Sequence, residues 1–401
     1  MPLETVYRIT KNYHVGPKRE RPPANEAEGS IWEVTDASGD GTVRRTLSDG
    51  ERWISLNVET ASADSGQANE HYLTPDDGFG AIQDAIDRTG GDAVIRLAPG
   101  TYVGSELTLT DGILLEGAGR HATTLRLEDG ANTDLVRTPD APSQNVQECT
   151  LRNITFEGNR ANNDAGNVVY GAFWNGRFID CEFSTAPEHG FWLAGSDGST
   201  DDNYFRGCRF VHNAGAGLRG GANKETYRAV GVVRIDTNWF GNNDGPGIIA
   251  RGNSWKIGYS KFYGNGSTSG ATIELDRCSY SSVTGCDMYS ESESGSLVTV
   301  LAYKEADSVG NRITNNDLRG SYGTAVLCEA EEDDVVALQV CDNVLQSEGD
   351  AVDGIAANIE DGGAFVNCSV TNNTFVGSFA GSKLALLDGW STRGNIGAGN
   401  S

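Results

Sequence analysis

The sequence predicts an all-β parallel β-helix of roughly eleven coils, with a capping helix at its N-terminal end. Three observations predict it. A six-residue phrase occurs nine times between Leu151 and Phe375: apolar, two variable, small or polar, one variable, apolar. It runs Leu151–Phe156, Phe178–Phe183, Phe205–Phe210, Ile235–Phe240, Ile257–Phe262, Val283–Met288, Ile313–Leu318, Val340–Leu345 and Val370–Phe375. Its ends recur every 22 to 30 residues, a period that marks a repeat architecture. Second, the repeats are rich in Gly, Asn, Thr and Val and carry no 3.6-residue apolar stripe. Third, a Gly beyond many of the phrases opens another short apolar run, as at Gly190-Phe191-Trp192-Leu193 and Gly247-Ile248-Ile249-Ala250. Short strands joined by turns, one coil per period, rise ~4.8 Å per coil and give a rod on the order of 50 Å long.

Within the phrase the first and sixth positions are five apart, so a straight strand would face them oppositely. A bend between the first and fourth positions turns all three fixed positions inward. The fourth position holds Ile154, Cys181, Cys208, Asn238, Ser260, Cys286, Asn316, Asn343 and Asn373. Like side chains then stack along the axis, and inward amides satisfy one another. Stacked Cys reads as small buried packing. Without a CxxC pair or a Cys–His cluster, the sequence implies no metal and no cofactor. Disulfides between neighbouring coils are allowed but not demanded.

Composition bounds the function. Gly is 52 of 401 residues, suited to a turn-rich β protein. No apolar run is long enough to insert in a membrane. The net charge is −25, and such a balance repels nucleic acid and anionic lipid. Of 31 basic residues 24 are Arg. Acidic excess with little Lys resembles proteins of salt-loving organisms, where salt screens self-repulsion.

In chain order, residues 1–28 lack an apolar segment and a signal-peptide pattern, and read as an extended arm ordered only by a partner. Residues 29–60 read as a small β meander holding Trp32 and Trp53. Gly29-Ser30-Ile31-Trp32-Glu33-Val34-Thr35-Asp36, followed by Asp49-Gly50-Glu51-Arg52-Trp53-Ile54, resembles a module near the start of viral tail-fibre and tail-spike proteins. Residues 61–73 read as a linker, and 74–401 as capping helix plus β-helix. Thr74-Pro75-Asp76-Asp77 is a capped helix start. Phe79, Ile82, Ala85 and Ile86 give the helix one apolar face, and Gly90-Gly91 stops it. The first coils follow in Ala93–Leu97, Pro99-Gly100-Thr101-Tyr102 and Ile113–Gly117. Helix, strand, Pro-Gly-Thr-Tyr, strand and Gly-Ala-Gly resemble the opening of pectate-lyase-like proteins. That resemblance implies a right-handed coil and allows lyases, hydrolases, epimerases or non-catalytic spikes.

Alternation in the strands after each Gly gives an outward stripe. Trp192, Arg219, Arg251, Glu329, Glu331 and Asn358, with Glu360 beyond them, are candidate glycan contacts: an aromatic platform with charged neighbours. Glu274 and Asp276, at i and i+2 on one face ~7 Å apart, are candidate acid and base. The five His are scattered and support no acyl transfer. Three functions are open. One is a virion tail spike or fibre subunit, a homotrimer, attaching to other virion proteins through residues 1–60 and presenting the β-helix to a host-surface glycan or glycoprotein. The second is a polysaccharide hydrolase, lyase or epimerase. The third is a capsid or tail decoration without receptor role.

Overall fold

The computed structural model describes residues 69–401 except 196–199, 222–229, 267–269, 292–294, 304–305, 349–352, 361 and 398–401, and four strands of the N-terminal region. The chain divides into two units, Met1–Ala68 and Asn69–Ser401. In the first, Ile31–Val34, Arg44–Ser48 and Trp53–Leu56 pair antiparallel in sequence order. Tyr13–Gly16 adds a fourth strand, parallel to Ile31–Val34. Part of the arm expected to need a partner for its order is therefore paired within the unit. Both Trp side chains lie outside the described residues.

In the second unit each coil contributes one strand to each of three parallel sheets. The first sheet runs from Asn69–Leu73 to Trp390–Arg393, the second from Gly100–Gly104 to Thr374–Val376, and the third from Leu107–Thr108 to Leu384–Ala385. Eleven strands form the second sheet among the described residues. Asn69–Leu73 is already a rung, pairing with Ala93–Leu97, so the linker expected over 61–73 ends before it. The capping box at Thr74 is present, with the Thr74 amide donating to Asp77 Oδ2 at 2.7 Å. It caps only a 3-10 turn, Pro75–Asp77. Gly78, at φ 81°, breaks the chain there and the α-helix proper is Gly80–Thr89. Phe79, Ile82, Ala85 and Ile86 are buried as the pattern required. Phe79 lies so close over Gly104 that a β-carbon there would meet its ring at 2.1 Å.

The nine phrases are the corner between the first and second sheets. Their first, fourth and sixth residues are all buried. The third residue makes the bend: Asn153, Asp180, Gly207, Thr237, Tyr259, Gly285, Asn315, Asp342 and Asn372 all have φ between 49° and 65°. Gly, Asn and Asp reach this left-handed region at least cost, which explains the composition. Inside the corner, like stacks on like. Phe156, Phe183, Phe210, Phe240 and Phe262 form a column with centroid spacings of 5.4, 5.2, 4.6 and 4.8 Å. Asn316 Nδ2 donates to Asn343 Oδ1 at 3.0 Å, and Asn343 Nδ2 to Asn373 Oδ1 at 2.9 Å. Each amide also donates to a backbone carbonyl of the preceding coil. A second ladder, Asn213–Asn243–Asn265, does the same where the second sheet turns toward the third. All eight Cys are free thiols, and burial pushes Cys181 well above and Cys286 up to about 11.

Candidate functional site

The third sheet differs from the other two in strand length. It lengthens from Leu218–Gly220, three residues, to Ile248–Asn253, six, and Ala271–Ser279, nine. Ser296–Tyr303, Thr324–Glu331 and Asp353–Glu360 hold eight each. Ile273 and Leu275 face the core, so Glu274 and Asp276 face out. Outward does not mean solvated here. Asp276 is only 2% exposed and Arg251 only 3%. Arg251 Nε meets Asp276 Oδ2 at 2.6 Å, and Arg251 Nη2 is 3.9 Å from Glu274 Oε1. A β-bulge adds a third charge. Arg251 pairs with Asp276 but Gly252 with Cys278, which leaves Arg277 as the extra residue, at φ 53°. Its Nε donates to Asp276 Oδ1 at 2.9 Å. Asp276 thus sits between two guanidinium groups and is a structural counter-ion. The catalytic pairing of Glu274 with Asp276 expected from alternation does not fit this burial, because a carboxyl so clamped is held from water and from substrate.

Below this cluster, Trp192 and Arg219 are cross-strand partners one coil apart. The Arg219 guanidinium lies 4.1 Å from the Trp192 ring centroid. Tyr170 meets the indole edge-on at 5.2 Å, and the indole N–H donates to the Gly221 carbonyl. Trp192 is therefore the bed of Arg219 rather than an open sugar platform, a contact worth about 0.5–2 kcal/mol. His189 completes the group. The Ala216 amide donates to His189 Nδ1 at 2.8 Å. The neutral ring must then carry its proton on Nε2. Nε2 lies 2.9 Å from Arg219 Nη1, so two donors face each other. Arg219 Nε is also buried without a hydrogen-bond acceptor among the described residues. Burial, then Arg219 and Arg251, push the His189 pKa down to about 3. Burial and Arg251 bring Arg219 down to about 10, against the pull of Glu274, Glu188 and Asp276.

Further along the same face a cleft of about 320 Å³ opens over three coils, lined by Glu274, Ser296, Thr299, Thr324 and Glu329 among others. Glu274 aligns with Thr299, and Asp276 with Leu301, Glu329 and Asn358. Glu274 and Glu329 are two rungs apart, roughly 10 Å along the axis. Asn358 is exposed on the next rung, and Glu331 pairs in register with Glu360. The stripe read from the sequence is one continuous face. His189, Tyr170 and Arg277 were not in that reading. Tyr170 is in register with Trp192, a signal available once the rungs are aligned. His189 sits in a turn and Arg277 in a bulge, where alternation says nothing. Among the described residues no group of His, Cys, Asp and Glu could hold a metal ion.

Residues 166–336 match the family described as a right handed beta helix region, which gives the coil its hand. One segment is 37% identical over 95 residues, 20% of this chain, to the mannuronan C5-epimerase AlgE6 of Azotobacter vinelandii, and spans 11% of that protein. The A-module of the mannuronan C-5 epimerase AlgE4 from the same bacterium has a TM-score of 0.57 at 18% identity, over 80% of this chain and 99% of that one. ORF18 of Geobacillus virus E2 has a TM-score of 0.49 at 16% identity, over 92% and 75%. At these identities the structural likeness is one of fold.

Proposed function

We propose that the outer face of the third sheet binds an acidic polysaccharide, with the Arg219 cluster taking a carboxylate or sulfate of the chain. One observation carries this: a largely buried guanidinium whose Nε lacks an acceptor and whose Nη1 faces an imidazole N–H. An anionic oxygen is the group that satisfies both donors. The cleft between Glu274 and Glu329 takes the neighbouring sugars through hydroxyls and the Ser296, Thr299 and Thr324 side chains. The local identity to a mannuronan epimerase supports the ligand class.

In this reading the chain is a virion tail spike or fibre subunit. Residues 1–60 attach it to other virion proteins, three copies assemble, and the β-helix meets the surface glycan of a host that lives in high salt. The resemblance of residues 29–54 to a tail-protein module and the Arg-rich, strongly acidic composition support that role. A second reading, that the chain also epimerises or cleaves its ligand, is favoured by the local identity to a mannuronan C5-epimerase.

Titration of the full chain with oligomannuronate and with neutral dextran tests the proposal. Binding of the uronate alone, weakened roughly tenfold or more in Arg219→Met with melting temperature unchanged, is expected. Equal affinity for dextran, or an unaffected Arg219→Met, refutes it. Incubating the polymer in deuterated water separates the readings: deuterium at C5 or unsaturated chain ends shows turnover, and their absence leaves binding alone.

A further inference from the structure

A second cleft, of about 570 Å³, lies at the corner between the first and second sheets, not on the third. Arg120, Arg209, Lys261, Trp239 and Tyr259 line it, and no carboxylate does. On a chain of net charge −25, three cations around one opening are a local reversal of sign. In the second sheet Arg209, Trp239 and Lys261 stand on consecutive rungs in register. Glu182 precedes this run and Asp287 follows it. Both acids are engaged. Glu182 lies 3.5 Å from Arg209 Nε, and Asp287 accepts from Arg319 at 2.6 Å. Arg120 Nη1 donates to the Gly207 carbonyl at 2.7 Å, which fixes it at the rim. Lys261 is exposed and has no ion-pair partner among the described residues.

Each of the two aromatic rings packs close beside a glycine. A β-carbon on Gly241 would be 2.5 Å from the Trp239 indole nitrogen. One on Gly285 would be 2.9 Å from two ring carbons of Tyr259. Each ring therefore packs beside glycine backbone and stays reachable from outside: Trp239 is 37% and Tyr259 69% exposed. Tyr259 is also the bend residue of its coil, at φ 49°, where the other coils mostly use Asn, Asp or Gly. A bulky side chain in that conformation costs roughly 1–2 kcal/mol that Asn largely avoids. The local rule is broken to display a ring.

We infer that this corner is a second binding site for an anionic polysaccharide, with Trp239 and Tyr259 stacking on sugar faces and Lys261 and Arg209 pairing with carboxylate or sulfate. The rungs are ~4.8 Å apart, close to the length of one sugar ring, so successive sugars meet successive rungs. Exposed rings between cations favour a glycan over a protein partner, whose apolar groups would need a closed groove. The site rests on the third-sheet reading only for its ligand class, and it shares no residue with it.

Calorimetric titration of the full chain with short oligogalacturonates, dextran sulfate and unmodified dextran tests the inference. Two sites per chain are expected for an anionic probe and none for dextran. The double variant Lys261→Ala/Trp239→Ala should lose one site, and Arg219→Met the other. Tyr259→Asn should weaken the corner site roughly tenfold while melting no lower than the wild type, because Asn fits the bend. If Tyr259 only covers Gly285, that substitution leaves binding unchanged and the inference falls. It also falls if the double variant keeps both sites, or if dextran binds as well as the acids. Loss of the corner site alone, with Arg219→Met silent, removes the third-sheet reading and leaves this one standing.

Discussion

Along the bend, many side chains find their like one coil away; in the charged cluster on the outer face of the third sheet, unlike groups meet. Phe stacks on Phe from Phe156 to Phe262 and Asn on Asn from Asn316 to Asn373. On the third sheet Trp192 carries Arg219, Arg251 holds Asp276, and Asp276 holds Arg277. Repetition satisfies the first region without help. The second is singular, used once, and leaves Arg219 with donors that its neighbours do not fill.

Three perturbations break or sharpen this contrast. Phe183→Ala removes a ring stacked between Phe156 and Phe210 and should cost about 3–5 kcal/mol in urea unfolding, without altering ligand affinity in the folded fraction. Arg251→Leu leaves Asp276 with Arg277 alone and should cost about 3 kcal/mol. Asp276→Leu should cost more than Arg251→Leu, because it takes the same carboxylate from two buried guanidinium groups at once. Near neutral pH the smallest effect is a pH dependence, which grows only as the medium is acidified. In the unfolded chain His189 takes up a proton near pH 6.5, and in the fold only near 3. Between those values the unfolded state binds more protons, so stability falls as pH falls, by at most about 1.4 kcal/mol per unit. His189→Gln should lack this component. The two melting curves should run parallel above 6.5 and converge or cross below it. Parallel curves throughout would mean that His189 is solvated.

How much of this was legible in the sequence follows the same division. The corner was legible because its spacing is rigid: one left-handed residue, then one inward residue, in every phrase. The outer stripe was legible in outline, since Trp192, Arg219, Arg251, Glu274 and Glu329 share one face. Its chemistry was not. Alternation gives direction but not depth, so Asp276 read as an exposed acid. The bulge at Arg277 is a one-residue insertion with no marker in composition. Trp192 read as a platform because its cover, Arg219, lies 27 residues on and meets it only through register. The start of the α-helix was displaced from Thr74 to Gly80 by the positive φ of Gly78, which a Thr-Pro-Asp-Asp signal does not reveal.

The thiols have a consequence for how the fold is held together. Seven of the eight are buried and none is joined to another. No covalent bond that a reductant could cut contributes to the fold. A reducing agent therefore has no cross-link to open: stacked rings, amide ladders, backbone pairing between coils and a buried apolar column hold the rod.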